Sequence, residues 1–218
     1  MKLLLTSGGN TNKSIENSFI KLLGKSPQKS KLAFIPTAAN VEKEDKTWLI
    51  NDINNFKKIG FSCFDIVDIA AVPKDIWLPR LDRADVLIIG GGVVYYLLEQ
   101  IKKSGLEKIL PEFLKTKVYV GISAGSMVMA KNISLSSLDI LYFEKTKKIK
   151  NSNGLGYVDF EIRPHLNSKW YPKLKFDYLS KLAKQTPHCF YALDDNSAIE
   201  VIDKKISIIS EGKWKKFN

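Results

Sequence analysis

Cysteine is nearly missing from this 218-residue chain: Cys63 and Cys189 stand far apart, in no CxxC pair and beside no histidine cluster. That speaks against a disulfide framework or a zinc site, and both residues read as small buried hydrophobes. Histidine is as scarce, with only His165 and His188. Any chemistry that needs an imidazole falls to one of the two. Arginine is limited to Arg80, Arg83 and Arg163, so lysine carries most of the formal charge of +11. A basic surface attracts nucleic acid or acidic small molecules. The lysines are scattered, however, and the densest runs, within residues 145–150 and 213–216, lack the aromatic interleaving of a single-strand binder. No specific nucleic-acid partner is expected. No stretch approaches the roughly 18 apolar residues of a membrane span, and the apolar run in residues 1–7 is too short for a signal peptide. The expectation is a cytoplasmic protein with no membrane partner.

The chain does have a globular composition, 44% hydrophobic and 11% aromatic, with no repeat and no low-complexity tract. Its length is enough to bury a sizeable core, and no break in composition divides it, so residues 1–218 are read as a single α/β domain. Apolar runs at residues 2–6, 31–37, 61–69, 85–90 and 117–122 predict strands. Helical spacing separates several of them: Ile15, Phe19, Leu22 and Leu23 within 11–25, with a cap among Asn10 to Asn12; Leu49, Ile53 and Phe56 within 41–59; Tyr96, Leu97 and Ile101; and a segment at 106–114. Strands alternating with helices predict a doubly wound, mostly parallel sheet, which binds ligands beyond the carboxyl ends of its strands. Beyond Ser134 the pattern changes. Loops or short strands are expected over 134–142 and 144–150, an extended run over 157–162, a helix over 172–184, and three short closing strands at 188–193, 198–202 and 205–210 that pair antiparallel.

Three glycine-bearing turns fall at the expected carboxyl edge: Ser7-Gly-Gly9, Gly90-Gly-Gly92 and Gly121-Ile-Ser-Ala-Gly125. The first does not make a phosphate-binding loop, because Asn12 occupies the place of that motif's second glycine. The last has the G-x-S-x-G spacing of a nucleophile elbow, in which glycines clear a cramped strand-to-helix turn and push a serine out at the strand end. Ser123 is the candidate nucleophile. The amide of Ala124, at the helix start, is placed to stabilise an oxyanion together with the unobstructed amides of Gly91 and Gly92. A serine hydroxyl needs a base held by a carboxylate. His165 follows a strand end and Pro164, which places it at the sheet edge, whereas His188 opens an apolar strand. Asp194 and Asp195 end another strand, and adjacent carboxylates point differently, so at most one can orient His165. Of the three arginines, Arg163 lies two residues before His165 and would share its side of an extended strand.

In order along the chain, Phe34-Ile-Pro-Thr37, Ile89-Gly-Gly-Gly92, Gly121-Ile-Ser-Ala-Gly125, Pro164-His165 and Leu193-Asp-Asp-Asn-Ser-Ala198 resemble the peptidase E group, the S51 serine peptidase family that includes aspartyl dipeptidase and cyanophycinase. The resemblance covers nearly the whole chain. It implies a sheet similar to that of class I glutamine amidotransferases, with serine in place of their cysteine. It further implies Ser123 as nucleophile, His165 as base, a glycine loop near Gly91 and Gly92 that helps hold the oxyanion, and no metal or organic cofactor. Members of the family usually have glutamate as the orienting acid; the matching position here is Asp195, one methylene shorter, with Asp194 its neighbour. The resulting expectation is a serine exopeptidase or dipeptidase that acts on a small peptide, with N-terminal aspartate as one candidate, as a monomer or homodimer; an aspartyl substrate of the kind the resemblance implies needs a cation for its side-chain carboxylate, and Arg163 is the best-placed candidate. The competing expectation is a catalytically inactive sheet of the same architecture that binds an acidic small molecule or partner.

Overall fold

The structure is a computed structural model that describes residues 1–145 and 153–218. Strand β1 (Lys2–Thr6) buries Leu3, Leu4 and Leu5 completely, as a strand covered on both faces must. Helix α1 (Lys13–Leu23) starts where the Asn12 side chain accepts the amide of Ile15 at 3.0 Å and stops at Gly24, whose φ is 70°. Strand β2 (Lys31–Ile35) ends before Pro36, and α2 (Thr47–Lys57) follows. The second helix begins later than its sequence pattern, because Asp45 accepts both the amide and the hydroxyl of Thr47 and so fixes the first turn there. Next come β3 (Cys63–Ile66), α3 (Lys74–Asp82), β4 (Val86–Ile89), α4 (Val94–Ser104), α5 (Leu106–Thr116), β5 (Val118–Ile122) and the single turn α6 (Ala124–Met127). The sequence pattern gave no sign of α3. Pro73 precedes it and Pro79 lies inside it, and the helix forms because Trp77 and Leu81 bury against the sheet.

The last third contains α7 (Leu135–Tyr142), β6 (Glu161–Arg163), α8 (Phe176–Ala183), β7 (Phe190–Leu193), β8 (Ser197–Ile202), β9 (Lys205–Ser210) and β10 (Trp214–Phe217). Here the expectations need correcting. Residues 135–142 are a helix rather than loops or strands, the extended run at 157–162 is a strand only over Glu161–Arg163, and β10 adds a fourth closing strand. Most of the expected segment at 144–150 lies outside the described residues, as does all but Lys145 of its lysine run. Cys63, expected to be buried, is exposed on β3, and Cys189 is half-buried.

Seven strands form the main sheet in the order β3-β2-β4-β5-β1-β8-β9. The first five are parallel, and β8 and β9 close the sheet antiparallel. Phe19 and Leu22 of α1 and Phe56 of α2 pack on one face with Leu4, Ile88 and Val120. Trp77, Leu97, Ile101 and Leu110 cover the other with Leu5, Leu87 and Tyr119. The sheet is therefore doubly wound and mostly parallel, with antiparallel C-terminal strands. A second sheet, β10-β7-β6, packs Phe190, Ala192 and Phe217 against Leu141 and Leu179. Among the described residues, no helix is long and apolar enough to cross a membrane.

Register places the functional turns side by side. Ile89 of β4 pairs with Gly121 of β5, and Ile122 pairs with Thr6 of β1, so three central strands end level. Thr6 also pairs with Ala198, which brings the turn before β8 to the same edge. Short α6 must pack closely to fit: a Cβ added at Gly125 would lie 2.0 Å from the Ile89 carbonyl oxygen. Gly125→Ala should lower folding stability by about 2 kcal/mol or more through overpacking, measured by urea denaturation.

Candidate active site

Ser123 joins β5 to α6 with φ 46° and ψ −107°. A non-glycine residue in this region is strained by about 1–3 kcal/mol, and the surroundings must hold it there. Its amide donates to the Thr6 carbonyl at 3.1 Å, and its own carbonyl accepts the amides of Ser126 and Met127 at 2.9 and 3.0 Å. Ser126 Oγ donates to the same Thr6 carbonyl at 2.7 Å, and the buried Tyr119 hydroxyl donates to the Gly125 carbonyl at 2.6 Å. The elbow glycines are sterically required, since a Cβ at Gly121 would lie 2.6 Å from the Ser126 nitrogen.

His165 and Asp195 arrive from the second sheet. Strands β6 and β7 pair in parallel, and two residues past the end of each stand His165 and Asp195. His165 Nε2 lies 2.8 Å from Ser123 Oγ, and Nδ1 lies 2.6 Å from Asp195 Oδ1. The His165 backbone, at φ 64°, is fixed by its amide, which donates to Ser7 Oγ at 2.8 Å. Ser7 in turn donates its hydroxyl to Asp195 Oδ1 at 2.8 Å. One hydroxyl thus ties the histidine backbone to the acid that faces its ring. Tyr171 stacks on the imidazole at 5.4 Å between centroids, with 25° between the planes. Burial pushes the Asp195 carboxyl up, but the hydrogen bond and charge of His165 and the Ser7 hydroxyl outweigh it, so the net shift is below the usual carboxylate value. Asp194 turns the other way, accepting the Asn196 amide at 3.1 Å and the Ser197 hydroxyl at 2.7 Å. Of the two adjacent acids, Asp195 is the one that meets the histidine.

Gly91 borders Ser123, since a Cβ there would lie 3.4 Å from Ser123 Cβ. Gly92, at φ 130°, passes so close to Ala38 that a Cβ would meet its carbonyl oxygen at 2.3 Å. Among the described residues, no hydrogen bond takes up the amides of Gly91, Gly92 or Ala124. They are free to receive an anion. The loop is anchored just beyond by Glu144, whose carboxylate accepts the amides of Val94 and Tyr95 at 2.9 and 3.3 Å. Burial pushes the Glu144 carboxyl up to about 7 against the pull of those two amides, and Glu42 and Asp139 add to the rise. Asp52 of α2 is also pushed up to about 7, chiefly by burial and then by the charge of Asp195.

The expected cation does not reach the site. Arg163 is 1% exposed, ion-paired with Glu161, hydrogen-bonded to Ser137 Oγ at 3.2 Å and stacked over Phe190 at 5.4 Å. The strand ends at Arg163 and His165 takes a positive φ, so the alternation that would have put both side chains on one side is broken. His188 is exposed at the opposite end of β7. Among the described residues, no group of three or more His, Cys, Asp or Glu side chains could hold a metal ion. The sequence reading passed over Ser7, Asp52, Glu144 and Tyr171. Only Ser7 carried a local signal, as the residue between a buried strand and two glycines.

A nucleophile-sized hydroxyl, an imidazole with a carboxylate behind it and a set of unpaired amides make an arrangement suited to acyl transfer. The family model of peptidase family S51 matches residues 3–209. An uncharacterised peptidase of Listeria innocua is 29% identical over 185 residues, spanning 84% of this chain and 86% of that protein. A peptidase E of Shewanella oneidensis is 31% identical over 153 residues, spanning 69% of this chain and 58% of that protein. Among solved structures, a candidate peptidase E protein of Listeria monocytogenes superposes with a TM-score of 0.78 at 24% identity, covering 97% of this chain and 98% of the other.

The buried pair and the raised carboxyl each lead to a measurement. Arg163→Met leaves Glu161 as an uncompensated buried charge and should cost about 3–5 kcal/mol in denaturant unfolding. Between the ordinary 4.5 and about 7, Glu144 in the folded chain holds a proton that the unfolded chain has released, so stability falls as pH rises through that window. The full shift is worth roughly 3 kcal/mol, and Asp52 acts with the same sign. Stability of Glu144→Gln, followed by unfolding midpoint, should therefore fall less steeply than wild type across that range.

Proposed function

The chain belongs to peptidase family S51 and is a serine peptidase, and on that footing we propose that it hydrolyses short peptides through Ser123, His165 and Asp195 by way of an acyl-enzyme. The observation that carries this reading is the continuous relay from Ser123 Oγ through both nitrogens of His165 to Asp195. In the acylation step, His165 Nε2 takes the Ser123 proton as Oγ attacks the scissile carbonyl. The imidazolium that forms is held in place and stabilised by Asp195 at Nδ1. Negative charge on the former carbonyl oxygen is received by the amides of Gly91, Gly92 and Ala124. Nε2 then gives its proton to the departing amine; in deacylation the same nitrogen takes a proton from water as it attacks the ester carbon and returns it to Ser123 Oγ as the C–O bond breaks and the acid product leaves.

The shorter acid is compatible with this role, because Asp195 leaves its strand at the same end as His165 and meets Nδ1 directly at 2.6 Å. A preference for N-terminal aspartate has no support from Arg163, which is buried in its pair with Glu161. The proposed substrate class is therefore a short peptide without a required acidic first residue.

Ser123→Ala should abolish hydrolysis of a dipeptide panel and covalent labelling by a serine-directed fluorophosphonate while the melting curve stays cooperative. Asp195→Ala should lower kcat by roughly 10³–10⁴-fold, the size of effect seen when a triad acid is lost. Turnover retained by Ser123→Ala would overturn the proposal.

A further inference from the structure

Helix α2 presents two side chains to the site that the mechanism above does not use. Trp48, in its first turn, lies against the oxyanion loop: a Cβ at Gly91 would meet Trp48 Cζ3 at 3.6 Å and Ser123 Cβ at 3.4 Å. The indole therefore sits beside the nucleophile while remaining 37% exposed. Asp52 follows four residues later on the same helix face. Its carboxylate closes on the turn after β1, where a Cβ at Gly9 would meet Asp52 Oδ1 at 3.2 Å and Ile122, the residue before the nucleophile, at 3.5 Å. Among the described residues, no donor or cation pairs with Asp52. A half-buried carboxyl that feels the negative Asp195 holds its proton more tightly than a free one, and it gives that proton up where a cation comes to pair with it.

We propose that Asp52 binds the free α-ammonium of the substrate and that Trp48 forms the wall against which the side chain of that first residue packs. The enzyme then removes residues from peptide N-termini. In any N-terminal residue the α-ammonium is separated from the scissile carbonyl by one carbon, so its partner must stand close to the nucleophile without belonging to the relay. Asp52 faces the site from the α2 side of the sheet, against the Gly9 turn and within reach of the Asp195 charge, while His165 and Asp195 come from the second sheet. An ammonium at this position also answers the charge of both carboxylates, which accounts for an acid kept unpaired beside the triad. Trp48 supplies apolar area without demanding one side-chain shape, so the selectivity is for a free amino end and an apolar first residue.

The inference rests on the catalytic reading, and its test is chosen to stand apart from it. Binding is measured by calorimetry on Ser123→Ala protein, which needs no turnover, with a leucyl dipeptide and its N-acetylated form. The free-amine peptide should bind about 10- to 100-fold more tightly, the range for a charge-assisted contact. Asp52→Asn in the same background should bring the two peptides to parity, and Trp48→Ala should narrow the margin of leucyl over glycyl peptide. Equal affinity for the free and acetylated peptides in the protein with Asp52 intact overturns the inference, whatever the fate of the variants. Wild-type enzyme that cleaves both forms equally well would overturn it too. Hydrolysis by Ser123→Ala would instead sink the catalytic reading, leaving the ammonium site to be judged by the binding result.

Discussion

The carbonyl oxygen of Thr6 is the point on which the site depends. It accepts the Ser123 amide at 3.1 Å and the Ser126 hydroxyl at 2.7 Å, so the last residue of β1 holds both ends of the elbow that follows β5. The Thr6 side chain completes the joint, donating to the Gly121 carbonyl and accepting the Gly9 amide. The positive φ of Ser123 is sustained by these neighbours, since an isolated strand-to-helix turn would relax it. Two parallel strands must therefore be in register before the Ser123 turn has its shape. Local sequence around Ser123 cannot supply that on its own.

The same turn after β1 organises the other half of the relay. Ser7, next along the chain, reaches both the backbone of His165 and the carboxylate of Asp195. Thr11 adds a bond to the Asp195 carbonyl at 2.7 Å, and Gly8 packs so tightly that a Cβ would come within 2.8 Å of Asp195 Cβ. Residues 6–11 are thus a positioning element for groups that come from three other strands. A phosphate-binding loop would have used the same glycines for backbone amides turned towards an anion; here they admit a neighbouring aspartate.

Much of this was legible in the chain. Buried strands write long apolar runs, and the elbow writes its steric demand as two glycines, so β1, β2, β4, β5 and the place of Ser123 could be read directly. Separation in sequence did not hide His165 or the Asp194-Asp195 pair, because scarcity narrowed the histidines to two and both runs ended at a strand terminus, while the choice between the two acids depended on how the second sheet folds. What escaped depended on contacts between distant segments. Helix α3 has prolines where helices rarely place them and is held by Trp77 and Leu81 in the core. Arg163 looked available because a regular strand would have aimed it beside His165, and the chain leaves the strand one residue too soon. Asp52 and Glu144 carry no motif, since their character comes from burial against loops far away in sequence.

Ser123 follows a strand of the seven-stranded sheet, and His165 and Asp195 follow strands of the three-stranded one, so the relay spans the seam between them. Among the described residues, the polar bonds across that seam near the site run through Ser7, Thr11 and Asn12 and between Ser197 and Asp194. A slip of an ångström between two intact layers would uncouple the imidazole from the hydroxyl while leaving both sheets folded. Activity in this enzyme is thus a vernier for sheet alignment, sensitive to displacements that spectroscopic measures of folding would not register.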